Sequence, residues 1–211
     1  PCLHNTPHAV SGTDSAKNQQ TTMSNITIYC GSSANLAPEF IEAARALGRR
    51  IAAAGATLVY GAGRTGLMGA AADAALAAGG KVTGIIPGFM VERGWHHRGL
   101  TDLVVTDTMH TRKEKMAATA TGIIALPGGI GTFEELTEAI TWRQLGLLNA
   151  NIVILNTAGY YDAFLSMLHN AVDHGFMNTD HLRLFSVAST AAEAVEMALA
   201  PVEHREFSAK F

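Results

Sequence analysis

The sequence predicts one α/β domain of three layers, a mostly parallel sheet covered by helices on both faces. Three observations predict it. Strand-like and helix-like segments alternate along the chain. The strand-like runs are short, rich in Val, Ile, Leu and Ala, and lack a polar face, as strands buried on both sides do. Several of them end in glycine-rich turns that open helices. A length of 211 residues with 48% hydrophobic content suffices for one sizeable core.

Residues 1–23 lack an apolar stretch of signal-peptide type and read as a flexible leader, with Met23 a possible true start. The domain is expected over 24–200. "ITIYC" (26–30) reads as a strand followed by the small-residue loop "GSS". In 38–55, Phe40, Ile41, Ala44, Leu47 and Ile51 recur at helical spacing between Pro38 and Gly55. Strands follow at 56–61 and 81–87, around a helix at 65–80 with a double-glycine stop. Residues 88–100 read as irregular. A strand at 101–107, a helix at 109–120 and a strand at 122–129 lead into a helix at 132–145. The pattern closes with a strand at 151–157, a helix at 161–176, a strand at 181–189 and a helix at 190–200. The tail 201–211 is polar. No repeat, linker or second domain is evident. In such a sheet, ligands bind at the carboxyl ends of the strands, near the switch in strand order.

Composition excludes several classes. A net charge of −3 offers no basic footprint for nucleic acid. No run reaches 18 apolar residues, so no membrane helix is expected. Two cysteines, Cys2 and Cys30, make no disulfide framework and suit a reducing, cytoplasmic compartment.

The most informative segment is "LPGGIGTFEELTEAITW", 126–142. Glycines after a strand and before a helix let main-chain N–H groups approach an anion. Thr132 can add a hydroxyl or cap the helix. No Gly-Lys-Ser/Thr follows, so this is not a P-loop. Glu134 and Glu135 point ~100° apart on a helix and are expected to do different jobs. With Phe133, Leu136, Ile140 and Leu147 as the buried stripe, Glu134 falls on a flank with Glu138 and Thr141, and Glu135 nearly opposite, beside Trp142. A carboxylate near a bound phosphate ester has its pKa raised by like charge and desolvation, into a useful acid/base range. In "MHTRKEK" (109–115), Arg112 and Lys113 stand early in a helix, against its dipole, and call for a compensating anion, either a carboxylate or a phosphate.

"GAGRTGLMG" spells G-x-G-x-x-G through Gly61, Gly63 and Gly66, but the next strand ends "TGIIPG" without the acid that a dinucleotide ribose needs. "CGSS" (30–33) is a similar small-residue loop. His96, His97 and His110 lack metal-ligand spacing and read as surface or interface residues. No nucleophile elbow is present. Met68, Met109 and Met116 read as core or helix-interface residues.

Together these residues resemble the LOG family, the cytokinin riboside 5′-monophosphate phosphoribohydrolases, many of which carry the label "lysine decarboxylase". The resemblance runs from about Ile26 to Leu199. It rests on the pattern P-G-G-x-G-T-x-x-E (Pro127, Gly128, Gly129, Gly131, Thr132, Glu135), on Arg112-Lys113 after Met-His, and on "YCGSS", "VYGAG", "GLMG" and "TWRQLG".

The resemblance implies a Rossmann-like dimer that hydrolyses the N-glycosidic bond of an N6-modified adenosine 5′-monophosphate to a free cytokinin base and ribose 5-phosphate, with no metal and no cofactor. By the family's pattern Arg112 and Glu135 are catalytic. Gly31, Ser32, Gly61, Gly63, Met109, Lys113, Gly128, Gly129, Ile130, Gly131, Thr132, Phe133, Glu134 and Thr141 bind substrate. Two departures are visible: Gly61-Ala62-Gly63 where relatives usually have three glycines, and Gly94 where many carry a substrate-contacting glutamate, a role Glu92 could take. In the implied reaction Glu135 stabilises positive charge on the ribose or activates water. Arg112 offsets charge on the departing purine, holds the phosphate or orients the glutamate. Other readings remain: a general AMP or purine nucleoside monophosphate nucleosidase, or a non-catalytic nucleotide or molybdenum-cofactor binder. A lysine decarboxylase would need pyridoxal phosphate on a lysine, for which Lys113, beside an arginine, is a poor candidate.

Overall fold

The structure, a computed structural model, describes residues 23–202. The leader expected over 1–23 and the tail over 201–211 lie outside them, save Met23, Pro201 and Val202. Seven strands form one sheet: β1 (Asn25–Tyr29), β2 (Thr57–Tyr60), β3 (Val82–Pro87), β4 (Asp102–Thr106), β5 (Gly122–Ala125), β6 (Asn151–Leu155) and β7 (Ser186–Ala188). Their order is β4-β3-β2-β1-β5-β6-β7, and every pairing is parallel. The order reverses between β1 and β5, so the loops after those two strands flank the crevice where ligands bind in such sheets.

Helices cover both faces. On one lie α1 (Pro38–Ala53), α2 (Gly66–Ala77) and α7 (Ala191–Leu199), which bury Leu47, Ile51, Leu67, Ala71, Ala75 and Ala198 against Ile26, Ile28 and Leu58. On the other lie α4 (Met109–Ala118), α5 (Ile130–Gln144) and α6 (Asp162–Asp173), with Met116, Ala117, Leu136 and Ala139 against Ile123, Ala125 and Ile152. The stripe expected on α1 is the one observed, with Ala44, Leu47 and Ile51 buried. Gly48 extends it, because α1 and α2 approach so closely that a Cβ there would lie 2.1 Å from the Ala71 carbonyl oxygen.

Two segments differ from expectation. Residues 88–100 begin with a short helix, α3 (Gly88–Glu92), and then pair His96 with Gly63 in a single antiparallel bridge. The strand expected over 181–189 is only β7, because Thr179–Leu184 winds into a 3-10 helix. Asn178 starts that helix by accepting from the Asp180 N–H through its side chain, and His181 and Leu184 turn inward. Met109 stands 41% exposed rather than packed, whereas Met116 is fully buried. Among the described residues no helix is long and apolar enough to cross a membrane.

Replacing Gly48 with Ala should push α1 and α2 apart. The fold should lose about 1–3 kcal/mol through overpacking, although alanine is the better helix former by about 1 kcal/mol. Urea unfolding reads this as a lower midpoint; a midpoint equal to wild type would contradict the close approach.

Candidate functional site

The turn between β5 and α5 sits at the switch in strand order. Its carbonyls are all engaged. Leu126 O accepts from the Tyr161 hydroxyl at 2.7 Å, Pro127 O from the Gly31 N–H at 3.0 Å, Gly128 O from the Tyr160 hydroxyl at 2.5 Å and Gly129 O from the Phe133 N–H at 3.0 Å. The amides from Gly128 to Thr132 donate to no acceptor among the described residues. One side of the turn is therefore saturated and the other is a row of N–H groups at a helix start, the arrangement that binds anions.

The glycines serve different ends. A Cβ at Gly128 would lie 2.1 Å from Thr132 Oγ1 and 2.9 Å from Gly31 N, so close packing requires glycine there. At Gly129 and Gly131 a Cβ would meet nothing within 4 Å, which leaves the amide face open. Thr132 is buried and does not cap; the N-cap is Gly129, with no side-chain cap.

The buried face of α5 carries Thr132, Glu135, Leu136 and Ala139. Glu135 thus lies on the inner stripe, not opposite it, and Leu147, beyond the helix end, is 72% exposed. The first turns of α5 overhang the strand ends, where the facing side chain is charged. Arg112 Nη1 donates to Glu135 Oε1 at 2.9 Å, with the residues 5% and 7% exposed. Arg112 Nε donates to the Ile85 carbonyl at 3.1 Å. Its Nη2 lies against Gly61, where a Cβ would come within 2.0 Å of it. The second oxygen of Glu135 takes no donor among the described residues and is not sealed from solvent.

Burial raises the Glu135 pKa; Arg112 pulls it down without cancelling the rise. The Tyr29 hydroxyl, at the end of β1, is held protonated by burial and by the Glu135 charge, and burial does the same to the Cys30 thiol.

α4 delivers both cations. Thr108 caps it, accepting from the Thr111 N–H while Thr111 Oγ1 accepts from the Thr108 N–H. Lys113 Nζ then bonds to Glu134 and, at 3.1 Å, to Glu138, and the Glu134 contact raises its pKa. The compensating anions that Arg112 and Lys113 demanded are carboxylates of α5, and the adjacent glutamates do serve different partners.

The remaining expected residues lie on the loops after β1 and β2 and on α4 and α5. Gly31 joins β1's loop to the turn, and Ser32 accepts from the Thr65 hydroxyl through its carbonyl. Gly63 packs on Met68 and pairs with His96. Ile130 is 83% exposed at the start of α5, and Phe133 packs among Tyr160, Tyr161 and Phe164. Met109 is exposed beside the cap of α4. Thr141 keeps its hydroxyl on the Thr137 carbonyl, two turns along from Glu134. His97 is not a plain surface residue: it pairs with Asp73 at 2.8 Å and its N–H holds the Ala62 carbonyl. Ala62 adopts a left-handed φ of 60°, which costs about 1 kcal/mol in a residue with a side chain. Gly94 has φ 68° and open space around it. Sequence reasoning missed Tyr160 and Tyr161; the only signal was their place in a loop leaving a strand beside the switch point.

Residues 68–198 match the family described as possible lysine decarboxylase. The chain is 41% identical over 170 residues to the cytokinin riboside 5′-monophosphate phosphoribohydrolase LOG of Oryza sativa subsp. japonica, covering 81% of this chain and 70% of that protein. It is 43% identical over 157 residues to the cytokinin riboside 5′-monophosphate phosphoribohydrolase of Rhodococcoides fascians, covering 74% and 79%. Among solved structures, the molybdenum cofactor carrier protein of Chlamydomonas reinhardtii aligns with a TM-score of 0.62 at 25% identity, covering 82% of this chain and 94% of that one. The molybdenum cofactor binding protein of Rippkaea orientalis aligns at 0.64 and 20% identity, over 83% and 95%, a likeness of fold.

Replacing Gly61 with Ala should drive the guanidinium of Arg112 off its seat and break the buried ion pair. Stability should fall by about 3 kcal/mol or more in chemical denaturation. Gly63→Ala, whose Cβ meets only the flexible Met68 side chain, should cost far less. Equal effects would contradict the seating of Arg112 on Gly61.

Proposed function

Because the chain belongs to the LOG family of cytokinin riboside 5′-monophosphate phosphoribohydrolases, we propose that it hydrolyses the N-glycosidic bond of N6-modified adenosine 5′-monophosphates. The products are the free base and ribose 5-phosphate. The observation that carries this reading is that one helix supplies both requirements. The amides at its start suit a 5′-phosphate, and Glu135, which carries the open oxygen, follows about one helical turn, ~5.4 Å of backbone rise, further along.

The phosphate sits on the amides of Gly129–Thr132, which places the ribose over the first turn of α5. Cleavage of C1′–N9 develops positive charge on the sugar. Glu135 stabilises that charge through its open oxygen or takes a proton from the attacking water. Arg112 keeps the other oxygen occupied and fixes the carboxylate's direction. Lys113, Glu134 and Glu138 form a second charged layer that adds a net negative field beside the developing cation. Gly31, Ser32, Gly61 and Gly63 line the strand-end side, and Met109 and Thr141 lie toward the base end.

A decarboxylase working through a lysine aldimine fits this site poorly. Lys113 is bonded to two carboxylates that raise its pKa, whereas aldimine formation needs a neutral amine.

The homodimer belongs to the same proposal, with a second copy on the exposed side of edge strand β4. Leu103 and Val105 alternate there at 38% and 52% exposure, and Phe89 and Met109 are exposed as well. A cytoplasmic location is likewise proposed, in keeping with the unpaired, buried thiol of Cys30.

Incubation with N6-isopentenyl adenosine 5′-monophosphate should release the free base, and Glu135→Gln should lower the rate at least ~100-fold without unfolding the chain. Arg112→Ala should be as severe. Near-normal turnover in Glu135→Gln would overturn the assignment of Glu135; AMP turned over as fast as its N6-isopentenyl derivative would overturn the base preference.

Val105→Glu should yield a monomer by sedimentation. An unchanged dimer would move the interface elsewhere.

A further inference from the structure

The weakest point of a glycine turn is its orientation. The Gly128–Gly129 peptide has no Cβ on either side, so little opposes a flip that would exchange its N–H for its carbonyl. After such a flip the Gly128 oxygen would face a bound anion and repel it. A trans peptide holds C=O and N–H on opposite sides, so whatever grips the carbonyl aims the N–H.

That grip comes from outside the turn. The Tyr160 hydroxyl donates to Gly128 O at 2.5 Å. Its ring stacks on Phe133 of α5 at 6.4 Å and meets Phe40 of α1 edge-on at 6.0 Å. The loop that presents it is elaborately fixed. Asn156 accepts from the Tyr161 N–H and donates to Asp162, both at 2.7 Å. Ala158 and Gly159 take consecutive left-handed φ values of 52° and 69°. Tyr161, fully buried, donates to Leu126 O at 2.7 Å, but the Leu126–Pro127 peptide has no N–H to aim.

We infer that Tyr160 is a positioning residue for the phosphate turn: by holding the Gly128 carbonyl back, it keeps the Gly129 N–H facing the 5′-phosphate and so sets affinity for the phosphorylated substrate. The inference rests on the reading of the turn as the phosphate site. Tyr160 touches no reacting atom in that reading, so its effect belongs to binding, while the pH profile set by Glu135 stays where it is.

The test compares Tyr160→Phe and Tyr161→Phe, which keep the rings and lose one hydroxyl each. Ribose 5-phosphate binding is measured by calorimetry, kcat and KM with N6-isopentenyl adenosine 5′-monophosphate, and Tm by scanning. Tyr160→Phe should weaken ribose 5-phosphate binding and raise KM roughly tenfold, with kcat and its pH profile near wild type. Tyr161→Phe should lower Tm and leave binding nearly unchanged. If Tyr160→Phe binds as well as wild type, or if both variants lose affinity only in step with Tm, the positioning role is overturned. If the wild-type chain itself binds neither ribose 5-phosphate nor the nucleotide, the phosphate reading falls first, and this inference with it.

Discussion

The peptide groups from Leu126 to Thr132 face two ways, and the site depends on that division. Four carbonyls are taken up by Tyr161, Gly31, Tyr160 and the helix itself, while the amides that follow meet no acceptor among the described residues. The partners come from three separate places: the loop after β1, the loop after β6, and α5. Parallel order β2-β1-β5-β6 brings those loops to one edge of the sheet. A turn with three glycines has no stiffness of its own, so the topology supplies it.

Charge is arranged in two layers around the turn. Arg112 and Glu135 form the inner one, nearly sealed, where a carboxylate resists ionisation and an unpaired arginine would be costly. Lys113 with Glu134 and Glu138 forms the outer one, closer to solvent. Both cations stand early in α4, against its dipole, and both are compensated by α5. The two helices are tied by this exchange as much as by apolar contact. Gly61 permits it, since any side chain there would occupy the space of the guanidinium. The glycine turn after β2 thus makes room for the buried ion pair at Gly61.

Much of this was legible in the sequence. Alternating apolar runs and glycine stops located the strands of the central sheet, and the glycines of "PGGIGT" located the turn whose amides stay open between β5 and α5. The misplaced cations at 112 and 113 called for a carboxylate or a phosphate, and α5 supplies carboxylates. What escaped reading has identifiable causes. The phase of the α5 stripe was set by counting apolar residues, but the helix buries Glu135 and Thr132 in place of Leu147, because Glu135 meets the buried guanidinium of Arg112 from α4. Residues 181–184 have strand-like composition, yet Asn178 offers its side chain to the backbone and turns them into a 3-10 helix. Met109 counted as a core or helix-interface methionine by type, but it stands 41% exposed directly after the threonine that caps α4. Tyr160 and Tyr161 act through hydroxyl contacts more than 30 residues distant in the chain, which no local pattern encodes.

A crystal structure with ribose 5-phosphate tests the central claim most directly. The account predicts phosphate oxygens on the amides of Gly129–Thr132, the Gly128 carbonyl still held by Tyr160, and the anomeric carbon facing the open oxygen of Glu135. A phosphate seated away from this turn, or a sugar lying beyond reach of a carboxylate closed on Arg112, would contradict it.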